Sequence, residues 1–536
     1  MNACQTSTEN KQFNYPPTLS TVSLEAKLFR DQRNLDESFN IVNAILENSK
    51  CNNSKKSAII QAGEKITWEE LGEHVHKAQN ILLELKINPG DRVALVANDS
   101  ILMATTLLSL MYRGCIVILI NPLSNEKQIA QQIDISRVSS AFVPKEMKYL
   151  VVENSVEFFE LETMRNSSIS FDRQTHNFDH SPSTAPFSLA FGVFTSGSTG
   201  SPKLALHRHQ DFIVALTRYA HQVLDLQQTD TVFCVSRLSF AFGLQNMFIT
   251  LLQGATYILS PPIISTEHVF KSLLVHKPTV MLAVPRVYEL LLNSDECSSS
   301  LVTSLRLCAS AGEMLPRAIA SQWETDYKIR ILDSIGSTEV LSTYISNVPN
   351  SDRSGSTGKL LPGFEAKLIN KSGNPCQLDE AGVLWIRGAS IISNYDSDDV
   401  GKELFKDGWF CSNDVFRQDR DGYFYFIGRN NEMMKINGLW VSPIEIEDTL
   451  KTLCDVADVA IIPLEKGTGT TKIQAFVVPT DDTRRPKIKH LKQYCKQHLG
   501  DWKYPHSVNF VDQLPKTVTG KLARFKLKES SKQLIQ

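Results

Sequence analysis

Residues 194–203 read Phe-Thr-Ser-Gly-Ser-Thr-Gly-Ser-Pro-Lys. The hydroxyls of Thr195, Ser196, Ser198 and Thr199 are interleaved with Gly197 and Gly200, and Lys203 closes the run. Glycine lets the backbone turn where a Cβ would clash. Successive free N–H groups in such a turn make an anion-binding concavity; the hydroxyls add donors and Lys203 adds a point charge. The chemistry this set suits is polyphosphate binding. It is not the Walker pattern Gly-x-x-x-x-Gly-Lys-Ser/Thr, because Ser201 and Pro202 separate Gly200 from Lys203. A flexible Gly/Ser surface loop is the competing reading, and the loop's companions decide between the two.

Two further segments follow expected strands: Ser310-Ala311-Gly312-Glu313, and Asp333-Ser334-Ile335-Gly336-Ser337-Thr338-Glu339. In a parallel sheet, loops after strands face the ligand crevice. Small residues there let a flat base approach, Thr338 and Glu339 offer oxygens, and Glu339 suits Mg²⁺, a hard cation that prefers oxygen ligands. Asp414 ends a further expected strand and suits a ribose diol. The segment Phe240-Ala241-Phe242-Gly243 reads as core packing or as a substrate-pocket wall. No Asp or Glu lies between Cys234 and Met247. A buried ammonium needs a negative partner, so a pocket lined here takes a neutral-bodied acid. Lys516 and Lys521 flank a Thr/Gly turn that can present Lys521 into a cleft. His207, His209 and His221 invite a metal reading, but their spacing fits no ligand pattern.

These residues need a scaffold. At 536 residues the chain calls for at least two domains. Its net charge of −2 argues against bulk nucleic-acid binding. Ten cysteines without a Cys-x-x-Cys pair suit a reducing, cytoplasmic setting. Residues 1–36 read as a polar arm without an apolar signal core. The apolar stretch Ile101 to Ile120 is broken by Arg113 and Gly114, and so reads as a buried helix followed by a strand, not a membrane span. Thr67 with Glu70 makes a capping box, and Trp68, Leu71, Val75, Ala78 and Leu82 follow as a helical stripe. Strand Arg92 to Val96, then helix and strand across 101–120 and again across 127–143, imply a doubly wound parallel sheet. Residues 163–186 read as a long loop before the strand from Leu189. Glycine-punctuated short strands after Gly355 suggest a small β subdomain. Polar Arg429-Asn430-Asn431-Glu432 marks a boundary, giving domains at 37–430 and 431–536. The second carries 17 Lys and Arg against 12 Asp and Glu. The expected fold is α/β: a large N-terminal domain of doubly wound sheets plus a β subdomain, with a small mobile α+β C-terminal domain.

Taken together, these segments resemble the adenylate-forming superfamily of acyl-CoA synthetases, peptide-synthetase adenylation domains and luciferases. The resemblance runs from about residue 40 to 528 and is carried by residues 194–203, Ile335 to Glu339, Asp414, Gly428-Arg429, Lys435 to Glu447 and Pro515 to Lys521. Within it, Phe240 to Leu244, Ser310 to Glu313, Gly336 to Glu339 and Asn437 to Pro443 are most similar to the benzoate-CoA ligase branch. The resemblance implies ATP-dependent conversion of a carboxylic acid to an acyl-adenylate, then transfer to coenzyme A, with Mg²⁺. It implies that the 194–203 loop holds the β and γ phosphates and that Thr338 and Glu339 meet the α-phosphate and metal. Asp414 and Arg429 would hold the ribose, and Lys521 would bridge carboxylate and α-phosphate. Ala311, Gly312, Glu313, Asp333, Ser334, Ile335 and Gly336 would complete the nucleotide site, while Phe240, Ala241, Phe242, Gly243 and Ser342 would line the acid pocket. Asn431 takes the hinge position about which the C-terminal domain rotates, bringing Lys435 to Trp440 toward the site.

Five departures stand out. The hinge is usually Asp or Lys, the residue before Asp414 usually Gly and the residue after Lys203 commonly Gly, where this chain has Asn431, Asn413 and Leu204. Phe242 and Ser342 replace the benzoate branch's usual Tyr and His, which leaves an aryl or medium-sized acyl acid open. A stand-alone enzyme that loads a carrier protein, and a nucleotide-binding scaffold that has lost catalysis, are the alternatives. No fused carrier domain follows Lys521.

Overall fold

The computed structural model describes residues 38–50, 54–147, 150, 155–165, 184–196, 202–261, 264–294, 299–350, 353, 355–396, 401–436, 439–465, 471–481, 485–500, 502–516 and 522–533. The fold is α/β. A six-stranded sheet runs in the order Glu157–Glu160, Ser140–Val143, Arg92–Val96, Ile116–Ile120, Leu189–Ser196, Pro202–Arg208. Its first five strands are parallel. The last pair is antiparallel, with Thr195 opposite Lys203. The sequence gives the reason for the helices between them. Thr67 caps Trp68–Glu84 through a box in which its Oγ1 accepts from Glu70 N at 3.2 Å, while Glu70 Oε2 accepts from Thr67 N at 2.8 Å. The expected stripe on that helix is buried. Ile101–Arg113 ends at Gly114, which takes φ 88°, a left-handed position that glycine fills without strain. Among the described residues no helix is long and apolar enough to cross a membrane.

A second set of parallel strands comprises Ser57–Gln61, Thr256–Ile258, Thr231–Cys234, Val280–Ala283, Leu307–Ser310 and Ile331–Gly336. The strands expected to form the small β subdomain are hydrogen-bonded onto the edge of this sheet. Thr343–Ser346 pairs antiparallel with Ile331–Gly336, and Gly358–Leu360, Tyr423–Arg429, Trp409–Gln418, Gly382–Gly388 and Phe364–Ile369 follow in antiparallel order. The antiparallel turn at residues 337–342 is what makes them continuous. The helix Ala241–Leu252 is buried along almost its whole length between layers. Phe212 stacks on Phe248 at 3.9 Å between ring centroids, and burying side chains of this size contributes roughly 2–3 kcal/mol each.

Residues 434–510 carry their own apolar cluster, which includes Met434, Ile446, Val459, Ile473 and Leu491. The hairpin Met434–Ile436/Leu439–Val441 precedes the helix Pro443–Lys451. Val456–Glu465 and Thr471–Pro479 pair antiparallel, and Ser507–Phe510 joins in parallel after the crossover helix Ile488–Leu499. That crossover is the βαβ order the sequence suggested. The long loop expected at 163–186 falls almost wholly outside the described residues.

Candidate functional site

The tip of the hairpin at 197–201, with Gly197, Ser198, Thr199 and Gly200, lies outside the described residues, as does the side chain of Ser196. Its exit is described. Lys203 is only 6 % exposed, held there by the register that sets it opposite Thr195. Leu204, where the family commonly has Gly, is fully buried against the sheet.

Ser310 and Asp333 are register partners at the ends of adjacent parallel strands. Ser334 Oγ donates to Ser310 O at 2.9 Å, which locks the two strand ends at one height. Ala311 is buried and Gly312 takes φ 88°. Glu313 is partly exposed beyond them. Burial pushes the Asp333 carboxyl up to about 8, against hydrogen bonds from Thr357 and the Ser334 N–H. At Gly336 a Cβ would come within 2.9 Å of Ser342 O, so the bulge between Ile335 and Gly336 requires glycine. The chain then turns through Thr338 and Glu339.

Two buried side chains grip that turn. His207 Nε2 lies 2.7 Å from Thr338 O, and its Nδ1 lies 3.1 Å from Asp211 Oδ2. Arg208 Nη2 donates to the other Asp211 oxygen at 2.9 Å. Tyr395 OH donates to Glu339 Oε1 at 2.5 Å. Lys203 Nζ sits 5.1 Å from the centroid of the same ring. None of His207, Asp211 and Tyr395 belongs to the nucleotide set read from the sequence. The two contacts onto the turn span 131 and 56 residues.

Asp414 faces Arg429 across neighbouring strands, with Arg429 Nε 3.0 Å from Asp414 Oδ1. Asp414 is only 3 % exposed, and its charge holds the Arg429 guanidinium above its ordinary range. Asp414 lies inside the strand Trp409–Gln418 and not at its end. The irregularity that suggested an end is local: Asn413 takes φ 58°, a left-handed conformation that Asn tolerates better than most side chains. That geometry explains why Asn stands where the family usually has Gly. Glu339 and Asp414 together push the buried Tyr344 hydroxyl well above the usual phenol range, after burial itself. The two carboxylates and Arg429 therefore share one neighbourhood.

The pocket-wall segment opens the helix Ala241–Leu252. Phe240, Ala241 and Phe242 are partly exposed, whereas Gly243 onward is buried. A Cβ on Gly243 would meet Arg237 O at 2.2 Å, so this helix start rests directly on backbone. Residues 216–220 touch both this helix and Thr343–Ser346, which brings the Phe242 and Ser342 elements to one side. Ser342 Oγ is spent on Thr343 O at 3.1 Å. One nearby acid escaped the sequence reading. Asp99, 3 % exposed, accepts from Leu238 N at 3.1 Å, and burial pushes it up to about 7.

The three histidines have other partners: His207 as above, His209 Nδ1 accepting from Ile41 N at 3.3 Å, and His221 Nε2 3.0 Å from Gln253 Oε1. Among the described residues no group of three or more His, Cys, Asp or Glu converges as a metal cage. Asn431 is exposed in the turn after Tyr423–Arg429, where Glu432 N and Met433 N both donate to Arg429 O. Lys435 pairs in register with Trp440, and both side chains lie outside the described set. Lys521 lies outside the described residues too, but its flanks do not: Lys516 bridges Leu522, and Ala523 N donates to Pro515 O at 2.8 Å.

Comparison with known proteins fits this geometry. The chain is 32 % identical over 497 residues to the benzoate–CoA ligase of Thauera aromatica, covering 89 % of this chain and 93 % of that protein. It is 29 % identical to a 4-hydroxybenzoate–CoA/benzoate–CoA ligase of Rhodopseudomonas palustris, over 88 % of this chain and 90 % of that one. Among solved structures, an anthranilate CoA ligase in complex with anthranoyl-AMP superposes with a TM-score of 0.83 at 27 % identity, covering 92 % of this chain and 97 % of that one. A benzoate CoA ligase from Burkholderia xenovorans LB400 gives 0.81 at 28 %, with 91 % and 99 % covered. The family model for the AMP-binding enzyme C-terminal domain matches residues 445–521. The model for AMP-binding enzyme matches residues 46–396, and the chain belongs to that family.

Proposed function

We propose that this enzyme activates an aryl carboxylic acid with ATP and transfers the acyl group to the thiol of coenzyme A. The observation that carries this reading is the convergence of Lys203, Glu339 and the Asp414–Arg429 pair around the buried Tyr395 and Tyr344. A carboxylate is a poor electrophile, so it first attacks the α-phosphorus of ATP and expels pyrophosphate. The thiol then attacks the acyl carbon and AMP leaves. The protein's share of such a phosphoryl-centre displacement is positioning and charge stabilisation.

In this reading the hairpin tip, Thr195 through Gly200, and Lys203 take the β and γ phosphates. The adenine lies against Ala311, Gly312, Glu313 and the strand end Asp333 to Gly336. Asp414 accepts from the ribose diol, and Arg429 fixes the Asp414 carboxylate. Glu339 fits Mg²⁺: Tyr395 occupies one oxygen, and a single carboxylate plus substrate phosphates is a common donor set for that ion. Bound there, the ion would withdraw charge from the phosphate oxygens. Thr338 is aimed by His207. Lys521, on the turn whose ends are pinned together, neutralises charge between carboxylate and α-phosphate.

The domains divide at 430/431. Asn431 is the hinge about which residues 431–536 exchange Lys521 for the Lys435–Trp440 hairpin between the two steps. Phe240, Ala241, Phe242, Gly243 and Ser342 line the acid pocket. With Phe242 and Ser342 in place of the benzoate branch's Tyr and His, the pocket differs from that branch at two positions, and the acid panel below therefore extends beyond benzoate. The buried cysteines suit a reducing cytoplasm. The test is a panel of benzoates and medium-chain acids, scored for AMP release with and without coenzyme A. Acid-dependent pyrophosphate exchange with thioester formation is the expected result. Exchange without thioester from coenzyme A would point to a carrier protein as acceptor, and no exchange with any acid would refute adenylation.

A further inference from the structure

The segment Ile392–Asp396 lies outside every motif that led to the site, yet it touches the site's main components. Ile392 N donates to Glu339 O at 3.0 Å, and Tyr395 OH donates to the Glu339 side chain at 2.5 Å. Asp396 N donates to Leu204 O at 2.9 Å, next to Lys203, and its carboxylate pairs with Arg92 of the first sheet. The strap therefore holds Glu339 by main chain and side chain while fastening the exit strand of the phosphate hairpin.

Lys203 and Glu339 are 6 % and 9 % exposed. Opposite charges this deeply buried attract more strongly as the effective dielectric falls. Among the described salt bridges Lys203 and Glu339 are not paired with each other; each meets the same Tyr395 side chain. Its face takes the ammonium at 5.1 Å from the centroid and its hydroxyl takes the carboxylate. Phe405, edge-on at 5.4 Å, fixes the ring. A Cβ on Gly401 would strike the ring at 2.8 Å, so the residue beside it has to be small. Burial and the Glu339 charge hold the Tyr395 hydroxyl above the phenol range, so it stays a donor.

We propose that Tyr395 is a positioning residue for adenylation: its ring packs under Lys203 and its hydroxyl holds the Glu339 carboxylate in place to meet a cation. This rests on the adenylation reading above. Tyr395→Phe keeps the ring over Lys203 and removes only the donor to Glu339. The expected result is a fall of about 10- to 100-fold in acid-dependent pyrophosphate exchange, because one hydrogen bond to a charged group is lost. The Mg²⁺ needed for half-maximal rate should rise several-fold, while KM for the acid moves less than about twofold. In a Glu339→Ala background the same change should cost nothing further.

A second readout needs no turnover. Tyr395→Phe should lower the thermal midpoint of the ligand-free protein by about 2 °C in the parent and leave it unchanged in Glu339→Ala. Equal losses in both backgrounds, or wild-type exchange and Mg²⁺ dependence in Tyr395→Phe, would overturn the proposal. If the parent protein shows no acid-dependent exchange, the adenylation reading fails, and the unfolding cycle still decides whether Tyr395 acts through Glu339.

Discussion

Lys521→Ala is expected to lower formation of the acyl-adenylate by at least about 10³-fold while leaving ATP binding close to that of the parent. The size of the expected loss follows from where the charge develops. The attacking carboxylate and the α-phosphate are both anionic, and a cation between them acts in a water-poor cleft where it costs no reorganisation. Removing one such donor lowers rates by roughly 10²–10³-fold, and a full positive charge belongs at or beyond the upper end, about 4 kcal/mol of barrier. Lys521 lies outside the described residues, but the structure on either side of its turn is described. The ends of its turn are pinned by the Lys516–Leu522 bridge and by Ala523 N on Pro515 O. Three residues on, Arg524 Nη2 donates to Glu447 at 2.8 Å, Nη1 donates to Ile461 O at 3.0 Å, and Nε reaches Glu432 at 3.2 Å. Arg524 thus ties the lysine turn to the residue beside the hinge. The discriminating measurement is a split: exchange with acid and ATP should collapse, whereas thioester formation from supplied acyl-adenylate and coenzyme A should persist, because the proposed domain rotation withdraws Lys521 for that step. Unchanged exchange in Lys521→Ala would refute its assigned role.

Asp414→Ala is expected to raise the KM for ATP by at least about 100-fold with a smaller change in kcat. A ribose diol gives two hydrogen bonds to one carboxylate, and each bond to a charged acceptor is worth about 1.5–3 kcal/mol. The substitution also strips Arg429 of the partner held 3.0 Å away. Asp414→Asn, which keeps an acceptor but not the charge, should fall between. Because the loss lies in uniform binding of the nucleotide, saturating ATP should restore most of the rate. A kcat collapse at saturating ATP with unchanged KM would place Asp414 in the chemical step and not at the ribose.

Much of the scaffold was legible because its signals are local. Thr67 and Glu70 announce their helix within four residues, and Gly114 ends the next helix where it must. The Asp414–Arg429 pairing was half legible. Both residues stand out, but the strand was expected to end at Asp414, whereas it continues to Gln418 through a left-handed kink at Asn413. The residues that hold Thr338 and Glu339 were not legible. His207 stood out only as one of three histidines and Tyr395 not at all, because the partner of each lies far along the chain. The small β subdomain was legible because the composition changes at Gly355. The hydrogen-bonded edge supplied by Thr343–Ser346, which fuses it to the parallel strands, leaves no trace in composition.

The most direct test of the central claim follows oxygen. With an acid carrying ¹⁸O in both carboxyl positions, mass spectrometry of the products should show one labelled oxygen in AMP and the other in the thioester carbonyl, because the carboxylate attacks phosphorus and the thiol later breaks the acyl–oxygen bond. Unlabelled AMP, or label in pyrophosphate or inorganic phosphate, would contradict it.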